Sequence, residues 1–289
     1  MKIRAPAKIN LSLRVVGKRA DGYHLLDTIM LPVSLYDDIF IHKERRLGKK
    51  TRRPKDRLTV TCDDPSVPQG RKNLAYKAAA LLLKEGRIDE AVRIRIHKRI
   101  PIGAGLGGGS TDAAATLIGL NRLFRLGYTL PQLEKTAGTL GADVPFFIQG
   151  VPARARGIGE RLTRLRGMPR FWCVIVYPNF PISTAWVYRN LQAKLTKAIV
   201  NTSINPSLGS AANLQKLLVN DLEAVAMGRY PRIRLLKEEL ARQGAVGTLM
   251  SGSGSSVFGV FPSKRRAERA FRRLRKEREV EVFLVHALS

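Results

Sequence analysis

Five glycines, Gly103, Gly105, Gly107, Gly108 and Gly109, separate a strand-like pattern from a helix-like one, and no other stretch constrains the fold of this chain as much. Upstream, Val92, Ile94, Ile96 and Ile100 share one phase, with Arg93, Arg95, His97 and Arg99 opposite. Downstream, Ala113, Leu117, Leu120 and Phe124 recur at helical spacing. A glycine loop that feeds a helix N-terminus leaves backbone N–H groups unpaired, and the helix dipole adds partial positive charge. Residues 101–111 (Pro101, Ile102, Gly103, Ala104, Gly105, Leu106, Gly107, Gly108, Gly109, Ser110 and Thr111) therefore suit an anion such as a polyphosphate. Ser110, Thr111 and Asp112 are expected to cap the helix. A turn alone needs fewer glycines than this.

Two other glycine motifs do not fit. No Gly-Lys-Ser/Thr ending follows, so the loop is not a P-loop. A dinucleotide fingerprint would want an acidic residue about 20 positions on, but that region is basic and helical, Arg122-Leu123-Phe124-Arg125. Lys98 breaks the strand pattern, because it sits in the apolar phase just before the loop. A phosphate could be its partner, or it could snorkel to the surface at the strand end.

Residues 7–16 alternate, with Ile9, Leu11, Leu13 and Val15 on one face. Lys8 and Asn10 are then neighbours on the other. Residues 25–42 read as further strand, broken near Pro32 and Asp37-Asp38. Helices are expected from Asn73 to about Lys84, over 130–140, 184–197, 211–227 and 231–242, and in the basic stretch 264–278. Strands and helices mix without strict alternation, which predicts an α+β architecture of two domains, 1–152 and 153–289.

Fifty-one Lys and Arg stand against 23 Asp and Glu, a formal charge of +28. Such a balance suits anionic partners, including incidental contact with nucleic acid. Much of it lies in two clusters, a loop expected over 43–57 and the helix over 264–278. No apolar run approaches the roughly 20 residues of a membrane span. The N-terminus carries no secretory pattern. Two cysteines, Cys62 and Cys173, form no disulfide framework or metal-ligand spacing. A cytoplasmic protein is expected.

Five segments together resemble one family. They are Pro-Ala-Lys-Ile-Asn-Leu at 6–11, Arg-Ala-Asp-Gly-Tyr-His at 19–24, the loop at 101–115, Gly-Ala-Asp-Val-Pro-Phe-Phe at 141–147, and Ser-Gly-Ser-Gly-Ser-Ser at 251–256. The chain resembles the GHMP kinase superfamily over essentially its whole length. Within it, the segments at 19–24 and 141–147 resemble the branch acting on 4-diphosphocytidyl-2-C-methyl-D-erythritol. The resemblance implies a GHMP kinase fold, with a ribosomal-protein-like N-terminal domain and a ferredoxin-like C-terminal one. It implies ATP and Mg2+ as cofactors and phosphorylation of the 2-hydroxyl of that small-molecule substrate, in non-mevalonate isoprenoid biosynthesis. It implies Lys8 and Asp143 as catalytic residues. Asn10, Tyr23, His24, Thr184 and Tyr188 would bind substrate, and residues 101–111, assisted by Lys98, would bind ATP. No metal ligand is identified. A soluble monomer or homodimer, with no membrane and no required nucleic acid, is expected.

Overall fold

The computed structural model describes residues 1–44, 57–191 and 214–288. The basic loop expected over 43–57 lies almost wholly outside them, as do the later part of the helix expected over 184–197 and the start of that over 211–227. The chain divides into two compact units. The first comprises residues 1–7, 36–102 and 107–150, and the second 8–35, 103–106 and 151–289. Two long strands, β1 (Lys2–Lys18) and β2 (His24–Lys43), run through both.

In the first unit, the end of β2 pairs antiparallel with β4 (Val92–His97), Asp38 opposite His97. Parallel to β4 lies β3 (Leu58–Cys62), Leu58 opposite Val92. Four helices follow the alternation of apolar residues: α1 (Leu74–Glu85), α2 (Gly108–Phe124), α3 (Leu130–Gly138) and α4 (Val144–Gln149). Asn73 caps α1 by accepting the N–H of Ala75. Ile39, Ile41, Ile94, Ile96, Leu82, Leu117 and Leu120 are buried.

In the second unit, β5 (Ala153–Gly157) and β6 (Arg161–Arg164) form a hairpin that pairs with β2. A buried Arg154–Asp27 ion pair joins β5 to β2. An antiparallel four-stranded sheet has the order β11 (Glu281–His286), β7 (Trp172–Tyr177), β10 (Val257–Phe261), β9 (Gly247–Met250). Around it are α5 (Thr184–Arg189), α6 (Glu223–Arg229), α7 (Arg232–Arg242) and α8 (Lys264–Leu274). Val174, Val176, Ile233, Leu236, Leu240, Phe261, Ala267 and Leu274 belong to one core cluster. The arginines of α8 lie outside that core, on the exposed side of the helix.

Three expectations are corrected. First, β2 runs unbroken through Pro32, Asp37 and Asp38, because internal donors meet both acids: Asp37 accepts the N–H groups of Arg99 and Ile100, and Asp38 pairs with Lys2 and Arg99. Second, no single helix spans the described part of 211–227. A short strand, β8 (Val219–Asn220), pairs parallel with β1 there, and Asp221 accepts the N–H of Val15. Third, α2 begins at Gly108, so Gly107 in the left-handed conformation takes the cap position, and Ser110, Thr111 and Asp112 lie inside the helix.

Gly259 tests the packing of α7 on the second sheet. It sits in β10 between Val174 and Thr248. A Cβ there would lie 2.9 Å from Ala245 Cβ and 3.3 Å from Leu240 Cβ. Gly259→Val is expected to destabilise the protein by about 1–3 kcal/mol through overpacking, read as a Tm lower by several degrees in thermal unfolding. An unchanged Tm would mean that the helix does not press on that strand.

Candidate active site

The glycine loop is held by its carbonyls. Gly103 O accepts the N–H of Ile182 at 3.2 Å, Ala104 O that of Ser256 at 3.1 Å, and Leu106 O that of Lys8 at 3.0 Å. Gly105 O accepts the Ser251 hydroxyl at 3.0 Å. A trans peptide points its N–H opposite to its C=O. The amides of residues 104–107 therefore face away from those partners. Gly105 has a φ of +76°, and a Cβ on it would lie 2.0 Å from Ser251 O, so only glycine fits. At the loop's end, the cap residue of α2 is Gly107, which brings no side chain of its own to the helix start. A Cβ on Gly109 would meet nothing within 4 Å, so space is open beside the first turn. A helix start with a glycine cap and open space beside its first turn fits an anion.

Lys8 and Asn10 share a face of β1, as the alternation predicts, but that face is not solvated. Lys8 is 5% exposed and Asn10 2%. Buried polar groups need partners. The Lys8 ammonium donates to Asn10 Oδ1. Asn10 Nδ2 donates to Thr28 Oγ1 at 2.8 Å, and Thr28 donates to Ser12 O at 2.6 Å. This chain fixes the amide orientation of Asn10. The second glycine loop comes to the same place: a Cβ on Gly252 would lie 3.2 Å from Lys8 Nζ and 3.1 Å from Gly105 O. Asn220 holds that loop by donating to Met250 O and Gly252 O, each at 2.8 Å.

The expected substrate residues form two further contacts in the second unit. His24 stacks on Tyr188, with ring centroids 5.1 Å apart and planes 25° apart. Burial, and then Lys18, lower the His24 pKa, so its ring is mainly neutral at pH 7. Tyr23, beside it, is 61% exposed, an unusual amount for a large aromatic. The Thr184 hydroxyl bonds that of Ser253 in the second glycine loop at 2.7 Å.

Asp143 belongs to the first unit, at the start of α4. Val144, Pro145, Phe146, Phe147 and Ile148 are all buried, which fixes the connector that carries this half-buried carboxylate. Lys8 belongs to the second unit.

Lys98 has internal partners. Its ammonium bonds Asp37 Oδ2 and, at 2.9 Å, Asp112 Oδ2. Its side chain is 5% exposed and that of Asp37 0%. Burial works to lower the Lys98 pKa, but Asp112 and Asp37 outweigh it and raise it. Burial pushes Asp112 up to about 7 against the pull of Lys98, and Asp37 adds to the rise. Among the described residues, no group of three or more His, Cys, Asp or Glu is arranged to hold a metal.

Sequence reasoning missed Asp37, Thr28 and Asn220. Asp37 had a signal: two acids in an apolar strand pattern and a lysine in the apolar phase of another strand are misfits of opposite charge. Thr28 and Asn220 are ordinary polar residues in their segments and gave none.

Two family models match the chain: GHMP kinases N terminal domain over residues 73–151, and GHMP kinases C terminal over 197–279. A protein of Citrifermentans bemidjiense described as 4-diphosphocytidyl-2-C-methyl-D-erythritol kinase is 47% identical over 278 residues, covering 96% of this chain and 95% of the relative. One of Geobacter metallireducens with the same description is 43% identical, covering 100% and 99%. A crystal structure of 4-(cytidine 5'-diphospho)-2C-methyl-D-erythritol kinase superposes with a TM-score of 0.84 at 36% identity, covering 100% of both chains.

The raised pKa of Asp112 has a consequence for stability. The folded protein keeps a proton that the unfolded chain releases above about pH 4. Through this group, stability falls as pH rises from about 4 to about 7. Asp112→Asn removes the dependence, so the Tm of the variant relative to the parent is expected to rise by a few degrees between pH 5 and pH 8. A pH-independent difference would mean that Asp112 ionises as easily in the folded protein as in the unfolded one.

Proposed function

The chain belongs to the GHMP kinase family, and on that premise we propose that it transfers the γ-phosphoryl group of ATP to the 2-hydroxyl of 4-diphosphocytidyl-2-C-methyl-D-erythritol, giving the 2-phosphate and ADP. That reaction belongs to non-mevalonate isoprenoid biosynthesis. The observation that carries the reading is the glycine loop, with four successive carbonyls engaged and its amides turned the other way. Such an arrangement holds a triphosphate without a P-loop lysine.

In this reading, Asp143 accepts or orients the proton of the 2-hydroxyl as its oxygen attacks the γ-phosphorus. The bond from that phosphorus to the β-phosphate oxygen breaks, and ADP leaves. The ammonium of Lys8, aimed by Asn10 and Thr28, offsets charge on the transferring group. Magnesium neutralises charge on the β- and γ-phosphate oxygens in such transfers. Among the described residues, no group of three or more His, Cys, Asp or Glu is arranged to hold it.

Tyr23, His24 and Tyr188 suit a cytosine. The His24–Tyr188 stack provides aromatic surface, and the exposed Tyr23 ring can close on a base. Thr184 joins this side to the second glycine loop through Ser253. The proposal includes the division near residue 152, a cytoplasmic site of action, and a monomer or homodimer that needs no nucleic acid. No described helix is long and apolar enough to cross a membrane.

A panel assay for ADP release tests the substrate. Turnover is expected with the diphosphocytidyl methylerythritol and not with mevalonate, homoserine or galactose. Faster turnover of one of the other alcohols would replace the substrate assignment. Asp143→Ala is expected to remain folded and to lower kcat by at least about 100-fold. Near-parental kcat would remove Asp143 from the chemistry. Tyr23→Ala is expected to raise the KM for the cytidyl substrate about tenfold or more through lost stacking, with the KM for ATP little changed. Equal shifts in both would argue against cytosine packing.

A further inference from the structure

We propose that Asp37, Lys98 and Asp112 form a buried clasp that closes both ends of the glycine loop and sets its affinity for a nucleotide polyphosphate. The three act as positioning residues and not as phosphate ligands. The inference takes its ligand from the kinase reading.

The clasp lies within the first unit. Asp37 Oδ1 accepts the N–H groups of Arg99 at 2.6 Å and Ile100 at 2.8 Å, the last two residues before the loop. Asp37 Oδ2 takes the ammonium of Lys98. That same ammonium donates to Asp112 Oδ2 at 2.9 Å, on the helix that the loop feeds. One carboxylate thus governs the chain entering the loop and, through one lysine, the chain leaving it. The Lys98 side chain is 5% exposed and already pairs with two carboxyl groups. Reaching a phosphate would strip it from a carboxylate and leave that charge buried and unpaired.

Gly108 supplies an independent observation. Its φ lies outside the left-handed region, so backbone freedom does not demand glycine there. A Cβ on it would lie 2.8 Å from Lys98 Nζ and 3.2 Å from Ile100 Cγ2. Glycine at 108 makes room for the clasp. Fixing both ends of a loop lowers the ordering entropy lost when a ligand binds. The clasp therefore contributes to nucleotide affinity without touching nucleotide.

The test compares the full-length parent with Asp112→Ala, Asp112→Asn, Asp37→Asn and Lys98→Met. ATP binding is followed by calorimetry, and KM is measured for both substrates. Thermal unfolding reports which variants are folded. Asp112→Ala and Asp37→Asn are expected to raise the Kd and KM for ATP about tenfold, with the KM for the cytidyl substrate within twofold. Asp112→Asn, which keeps an acceptor for the ammonium, is expected to restore most of the ATP affinity. Lys98→Met leaves two buried carboxylates. If it does not fold, the Asp112 pair carries the test, since Ala there releases only one end. Folded Asp112→Ala with parental ATP affinity, or an equal rise in both KM values, overturns the clasp. A parent that binds no ATP overturns the kinase reading instead.

Discussion

Four main-chain carbonyls in a row, Gly103 to Leu106, are each held by a donor from elsewhere in the chain, and that decides which way the glycine loop presents its amides. The donors come from β1, from the segment before α5 and from the second glycine loop. Gly105 can approach Ser251 so closely only because it lacks a side chain. Gly252 in turn lies against Lys8 and Asn10. The first glycine loop, the second loop and the lysine of the first strand are thus one set of contacts in the second unit.

A second constraint is burial on both faces of β1. Its apolar face joins the core, and its polar face carries Lys8, Asn10 and Ser12, all buried. The relay from Lys8 through Asn10 and Thr28 to the backbone carbonyl of Ser12 gives Lys8 and Asn10 partners and leaves the amide of Asn10 a single orientation. An ammonium held this way has little freedom left to lose. The same logic governs Lys98, whose partners are carboxylates at the two ends of the loop.

Much of this was legible in the residues. Alternation along 7–16 located β1, and the glycine run located the junction of strand and helix. The failures share a cause. Asp37 and Asp38 read as a break because acids disfavour strand interiors, yet a strand tolerates them where lysine, arginine and backbone N–H groups converge from distant segments. The Ser-Thr-Asp cluster read as a cap because local propensity cannot see that Gly107 already supplies the left-handed residue. At 219–220, pairing with β1 overrode a helical pattern. Lys98 is instructive, since its oddity was visible and the partner it needed was another oddity, Asp37. The arginine-rich face of α8 is a charged surface for which the fold gives no specific partner.

We propose that Lys8 and Asp143 serve the same phosphoryl transfer. A double-mutant cycle tests it directly, comparing kcat/KM for Lys8→Met, Asp143→Asn and the double variant. Residues that work as a unit lose their effects non-additively. The account predicts that the double variant is about as slow as the slower single one. Losses that multiply would contradict it, and would mean that ammonium and carboxylate serve separate steps.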